Sequence, residues 1–81
     1  MAPPFWDELA GPAGRVPGAR LEALEGYARL TLPVQEAPEG LSERTRRLVE
    51  AFPDGMVVID VRNRQWAAMA RELLEALAGS D

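Results

Sequence analysis

The run from Met56 to Val61 constrains the fold of this chain more than any other segment. Its sequence, Met-Val-Val-Ile-Asp-Val, is rich in β-branched residues and apolar at all but one position. β-Branched residues favour strands, and a nearly continuous apolar run is typical of a central strand that is buried on both faces. A chain of 81 residues has few other elements with which to cover such a strand. The sequence therefore predicts a small sheet that lacks cover.

Two segments before this strand carry further patterns. Apolar and polar residues alternate over residues 27–34, which predicts a half-buried strand, and Pro33 marks an edge or a strand end because it has no N–H to donate. Residues 19–25 are mostly strong helix formers and precede Gly26, which favours a short helix. The same residues could also form a strand, although Ala and Glu are poor strand formers.

Two further helices have clear starting residues. Ser42 is a good N-cap for a helix that begins at Glu43, and Asn63 can cap the last helix. Gly79 is a stop signal for that last helix. Its apolar stripe, which indicates one buried face, consists of Trp66, Met69, Ala70, Leu73, Leu74 and Leu77.

The N-terminal segment, residues 1–18, is rich in proline and glycine. Pro4 and Gly11 could bound one or two turns of helix, and residues 11–18 have the composition of an irregular linker. We therefore divide the chain into this segment, with its aromatic and acidic motif, and a small module at 19–81.

The order of elements predicts an α/β fold, with a small α+β fold as the alternative. A short helical element is followed by β-α-β-α, and a strand–helix–strand unit is normally right-handed with parallel strands. A sheet of only two or three strands is poorly stable alone. We therefore expect oligomerisation to complete it, most simply as a homodimer.

The composition excludes several kinds of chemistry. The chain has no cysteine and no histidine, so it has no disulfide, no thiolate metal site and no imidazole base. We expect no cofactor, no metal and no catalytic residue. The net charge of −4 argues against general binding to nucleic acid or to anionic membranes. No signal-peptide or membrane-span pattern is evident, so we expect a cytoplasmic protein.

The candidate contact residues are large apolar side chains in the N-terminal motif and in the last helix. Tryptophan is enriched at interface hot spots, and aromatic-acidic segments can dock into a groove of a partner. The alternative is that Phe5 and Trp6 fold back to cover the open face of the module. The predicted partner-binding residues are Phe5, Trp6, Leu9, Trp66 and Leu73.

Charged residues suggest two other sites. Asp60 lies near the carboxyl end of the predicted central strand, where α/β folds often bind ligands, but the simpler interpretation is that it accepts hydrogen bonds from the following loop or pairs with Arg62 or Arg64. A run of arginines close to a helix start could bind an anion, although a solvated helix face is the simpler interpretation. These possible anion-binding residues are Arg44, Arg46 and Arg47.

One segment resembles part of a known family. The strand Gly55-Met-Val-Val-Ile-Asp-Val61 and the helix that ends at Gly79 resemble the C-terminal domain of the bacterial division protein SepF. That family continues with further strands, and its characteristic asparagine falls at Asp60. The pattern is common to many strand–helix units, so the resemblance implies no more than dimerisation through the helices.

These features predict a non-enzymatic interaction module, such as an accessory subunit, an adaptor or a small inhibitor, that binds a partner protein and itself. Two alternatives remain open. The chain could contribute Asp60 and arginines to an active or phosphate site shared with another chain, or it could bind nucleic acid through the arginines at 44, 46 and 47.

Overall fold

The computed structural model describes residues 2–79 and shows a small α+β fold. Residue 1, in the predicted N-terminal segment, and residues 80 and 81, in the predicted module at 19–81, lie outside the described residues. Six elements follow one another along the chain: α1 (Trp6–Ala13), β1 (Arg20–Leu24), β2 (Tyr27–Pro33), α2 (Glu43–Glu50), β3 (Met56–Val61) and α3 (Arg64–Ala78).

The three strands form one antiparallel sheet in the order β1-β2-β3. The expected parallel strand–helix–strand unit is therefore wrong: β2 and β3 run in opposite directions, with Leu30 opposite Ile59. Strand β2 takes the central place, and β3, predicted to be central, is an edge strand. The loops on either side of the short helix α2 allow the chain to return beside β2, so no crossover is needed.

Residues 19–25 do not form the predicted short helix, because Arg20–Leu24 is strand β1. Leu24 pairs with Tyr27 across the two-residue turn Glu25-Gly26. Gly26 has a φ of 85°, a conformation that glycine adopts without steric cost and that a tight turn requires. In the hairpin, the backbone of β1 forms hydrogen bonds with the backbone of β2. This pairing outweighs the helix preference of Ala and Glu.

One face of the sheet carries the hydrophobic core. Leu30 and Leu32 of β2 and Val57 and Ile59 of β3 are buried. They form one cluster with side chains from α1, α2 and α3. Alternate residues of both strands point to the opposite face and are exposed or half-buried, as Val58 is. Because β3 is buried on one face only, the expectation that it is covered on both faces is wrong.

The helix starts follow the predicted caps. The side chain of Ser42 accepts a hydrogen bond from Thr45 N, and that of Asn63 accepts one from Trp66 N. Helix α3 ends at Ala78, with Gly79 as its C-cap. No helix between residues 2 and 79 has the length and hydrophobicity needed to cross a membrane.

The N-terminal segment belongs to the core rather than standing apart as a linker. Helix α1 continues past Gly11 to Ala13, and it packs on α3 and β1. Leu9, Ala13 and Val16 are all buried in the common cluster. The early helix end expected at Gly11 is wrong because Leu9 and Ala13, four residues apart, hold the last turn against the core.

Candidate functional site

The sheet has a second face that none of the helices covers. We call it the open face. It is made by alternate residues of the three strands and by one residue after β3: Arg20, Glu22, Leu24, Tyr27, Arg29, Thr31, Pro33, Met56, Val58, Asp60 and Arg62. Of the large apolar side chains in the described chain, only Met56 and Trp66 are classed as exposed, and Met56 is on this face.

An ion pair crosses the middle of the open face. Arg29 of β2 lies opposite Asp60 of β3, and its guanidinium donates Nε to Oδ1 at 2.8 Å and Nη2 to Oδ2 at 3.3 Å. These hydrogen bonds lower the pKa of the Asp60 carboxyl, assisted by the positive charges of Arg29 and Arg62. They also raise the pKa of Arg29. Asp60 therefore pairs with Arg29 rather than with the predicted Arg62 or Arg64.

Beside this ion pair, an arginine stacks on a tyrosine. The guanidinium carbon of Arg62 lies 3.7 Å from the centre of the Tyr27 ring, close enough for a cation–π interaction. The stack holds two long side chains in place on the exposed surface. Tyrosine, arginine and methionine are enriched at protein interfaces.

The charge of the open face differs in sign from that of the chain. It carries Arg20, Arg29 and Arg62 against Glu22 and Asp60, so three positive and two negative charges leave +1. The whole chain carries −4.

The outer edge of β3 is a second feature of this side of the molecule. Val34 N donates to Gly55 O at 2.8 Å. Since hydrogen-bonded and non-hydrogen-bonded pairs alternate along an antiparallel ladder, this bond shows which residues of β3 direct their backbone groups to β2. Val57, Ile59 and Val61 direct their backbone N–H and C=O groups to β2. Met56, Val58 and Asp60 direct theirs outward, where the sheet has no further strand. We call these outward backbone groups the β3 edge.

The predicted partner-binding residues divide into two groups. Leu9 and Leu73 are fully buried in the core of the chain, so neither presents a surface in this structure. Trp66 is 36% exposed on the first turn of α3. Phe5 and Trp6 are half-buried.

The N-terminal aromatic residues lie on the helical side of the molecule. Phe5 packs against the core cluster, and the guanidinium of Arg64 lies 4.8 Å from its ring centre. Its φ of 68° is a strained backbone conformation for an aromatic residue, which these contacts maintain. Phe5 therefore folds back, but onto the helical side, and the expected cover for the open face is absent.

The possible anion site on α2 is already filled from within the chain. The Glu72 carboxylate of α3 accepts hydrogen bonds from Ser42 N at 2.5 Å and from Ser42 Oγ at 3.0 Å. A carboxylate therefore occupies the helix N-terminus that a phosphate would need. Arg44, Arg46 and Arg47 are all exposed, and Arg47 donates to Glu43 at 2.9 Å. This arrangement is that of a solvated helix face.

Sequence reasoning missed the role of β2 in the open face. Tyr27 and Arg29 stand out only when the register with β3 is known, because Arg29 and Asp60 are 31 residues apart. The alternation over residues 27–34 was a usable signal, since it places both residues on the polar face of the strand.

No group of acidic residues that could hold a metal ion is found within residues 2–79. Comparison with protein-family models, curated proteins and solved structures finds no match to this chain. The resemblance to the SepF domain therefore gains no support, and any account of function depends on the geometry of the chain.

Proposed function

We propose that this protein is a non-enzymatic interaction module that binds a partner protein through the open face and also self-associates. One observation carries the proposal: the helices close the core on one side of the sheet and leave the other side bare. The bare side holds an aromatic–arginine stack, a bidentate ion pair and an exposed methionine.

The proposed partner is a protein whose contact surface has apolar residues and more carboxylates than basic groups. Arg62 and Tyr27 would form the centre of the contact, because aromatic and arginine side chains contribute most to interface affinity. The net charge of +1 on the open face favours an acidic partner over another basic one. Neither alternative, a shared phosphate site nor nucleic-acid binding, has comparable support, because Asp60 and the α2 N-terminus are each satisfied within the chain.

The test is a comparison of three forms of the full chain as bait in an extract of the cells that make it. The first is the wild type, the second is the open-face variant Tyr27→Ala/Arg62→Ala, and the third is the control variant Arg44→Ala/Arg46→Ala on α2. The retained proteins are identified by mass spectrometry. The binding of any protein retained in stoichiometric amount is then measured with purified components by calorimetry.

The proposal predicts a protein that binds the wild type and the α2 control equally and binds the open-face variant at least tenfold more weakly. The affinity should fall modestly as salt rises, since the contacts of Arg62 are exposed. Binding that the α2 substitutions abolish and the open-face substitutions leave intact would contradict it. So would binding of nucleic acid with a steep salt dependence.

A further inference from the structure

We propose that two copies of this chain pair through their β3 edges, with Val58 opposite Val58 of the second copy, to form a continuous six-stranded antiparallel sheet. This inference rests on the self-associating part of the proposed function and names its surface and register. It does not depend on the partner that the open face binds.

The β3 edge lacks the features that normally protect an exposed strand. Natural edge strands carry lysines, prolines, bulges or inward-pointing charges. Strand β3 has no lysine, no proline and no bulge, and its pairing with β2 is unbroken from Met56 to Val61. Its one charged side chain, Asp60, is already held by Arg29. The edge is therefore a regular and apolar template for another strand.

The other edge of the sheet is different. Strand β1 carries two exposed charges, Arg20 and Glu22. One of the two large exposed apolar side chains, Met56, is also on β3 rather than on β1. Of the two edges, β3 is the one suited to pairing.

The alternation of the ladder limits the possible registers. Only Met56, Val58 and Asp60 direct their backbone groups outward, so these residues must face one another across the new pair. The two-fold axis that relates the copies must therefore lie where a residue faces the same residue of the second copy, and not between two successive residues. Every allowed register also places the two open faces on the same side of the joined sheet.

Charge selects one register among those allowed. With the axis at Val57, the turn that contains Asp54 would approach Asp60 of the second copy, and with the axis at Asp60 the two Asp60 carboxylates would face each other. With the axis at Ile59, Arg62 would face Met56 of the second copy, without a charged partner. With the axis at Val58, Arg62 approaches the turn that contains Asp54 of the second copy, just before Gly55, and both side chains are exposed. Opposite charges across a strand pair are stabilising, and like charges are destabilising.

A second copy fits this edge better than an unrelated strand does. The register that charge selects is self-complementary, so one arginine–aspartate contact forms twice, as a two-fold interface requires. The antiparallel pairing also joins the core layers of both copies on one side of the sheet.

The experiment is sedimentation velocity of the pure full-length chain from about 1 µM to about 500 µM, a range that brackets weak to moderate dimerisation. Two proline variants are compared with the wild type. Val58→Pro removes an outward N–H in the middle of the β3 edge, and Ala23→Pro removes an outward N–H on the β1 edge. Neither substitution removes a hydrogen bond within the sheet, and circular dichroism is used to check that each variant remains folded.

A charge-reversal series tests the register without touching the backbone. Arg62→Asp and Asp54→Arg are made singly and together. We expect a wild-type dimer, at least tenfold weaker dimerisation for Val58→Pro and for each single reversal, recovery in the double reversal, and no change for Ala23→Pro.

A wild type that stays monomeric over the whole range would overturn the proposal and leave binding of a partner protein to the open face untouched. A dimer that Ala23→Pro weakens and Val58→Pro does not would place the interface at β1 and also overturn it. Failure of the double reversal to restore dimerisation would refute the register centred on Val58.

Discussion

The carboxylate of Glu72 in α3 accepts a hydrogen bond from the buried hydroxyl of Thr45 in α2 at 2.5 Å. Thr45 is a polar side chain that is fully buried. The same carboxylate holds the backbone N–H of Ser42, which is one of the free donors at the start of α2. One acidic residue thus fastens α2 onto α3 and satisfies a buried donor at the same time.

We expect Glu72→Gln to destabilise the protein by about 1–2 kcal/mol, because the neutral amide offers one acceptor where the carboxylate offers two. Chemical denaturation measures the change. Glu75→Gln is the matched control on the same helix. It breaks only an exposed ion pair with Arg71, so it should cost less than about 0.5 kcal/mol. Equal losses in the two variants would show that Glu72 does not fasten α2.

Acid should weaken the fold through two carboxylates. Hydrogen bonds from Ser42 N and then Thr45 lower the pKa of Glu72, and those from Arg29 lower the pKa of Asp60. A carboxyl with a lowered pKa in the folded state contributes stability above its unfolded pKa and loses that contribution as the pH falls. The free energy of unfolding should therefore decrease between about pH 5 and about pH 3.

The double variant Glu72→Gln/Asp60→Asn isolates this effect. Its unfolding free energy should depend less on pH over that interval than the wild type's does, as measured by urea denaturation at each pH. The same slope in both proteins would show that other carboxylates cause the acid sensitivity.

Two glycines should respond oppositely to alanine. An added Cβ meets nothing within 4 Å at either Gly11 or Gly26, but only Gly26 has a positive φ, of 85°. Gly26→Ala should destabilise the protein by about 1 kcal/mol through backbone strain. Gly11→Ala, inside helix α1, should stabilise it by about 0.5–1 kcal/mol. Thermal unfolding of both variants tests the hairpin and the helix together, and a stabilising Gly26→Ala would contradict the turn.

The N-terminal segment should be indispensable for stability. Leu9 is fully buried in the core, so we expect Leu9→Ala to cost about 2–4 kcal/mol in chemical denaturation. Leu24→Ala removes a half-buried side chain from the open face, and it should cost clearly less. If Leu9→Ala were as mild as Leu24→Ala, α1 would not be part of the core.

Local signals were enough to predict much of this fold. Ser42 and Asn63 cap helices α2 and α3, as their side-chain chemistry predicts. The alternation over residues 27–34 gave β2, and the β-branched run gave β3. In each case the signal lies in residues that are close together in the sequence.

The remaining features depend on contacts between distant residues. Residues 20–24 form a strand because β2 lies beside them, and their own composition favours a helix. Strand β3 is at the edge because it pairs only with β2, to which it is joined by a connection that contains α2. The sequence of this connection was also compatible with parallel strands. The open face also needed this register, because only the register brings Arg29 to Asp60 and Tyr27 to Arg62.

Hydrogen exchange of the β3 backbone amides, followed residue by residue by NMR in dilute and in concentrated solution, tests whether one chain closes its own core and leaves the β3 edge open for a second copy. In dilute solution the amides of Val57, Ile59 and Val61 should be protected, whereas that of Val58 should exchange quickly. At high concentration Val58 should become protected as well. A Val58 amide that exchanges at the same rate at both concentrations would contradict pairing through the β3 edge. Val57 and Ile59 amides that are unprotected in dilute solution would contradict a core closed by a single chain.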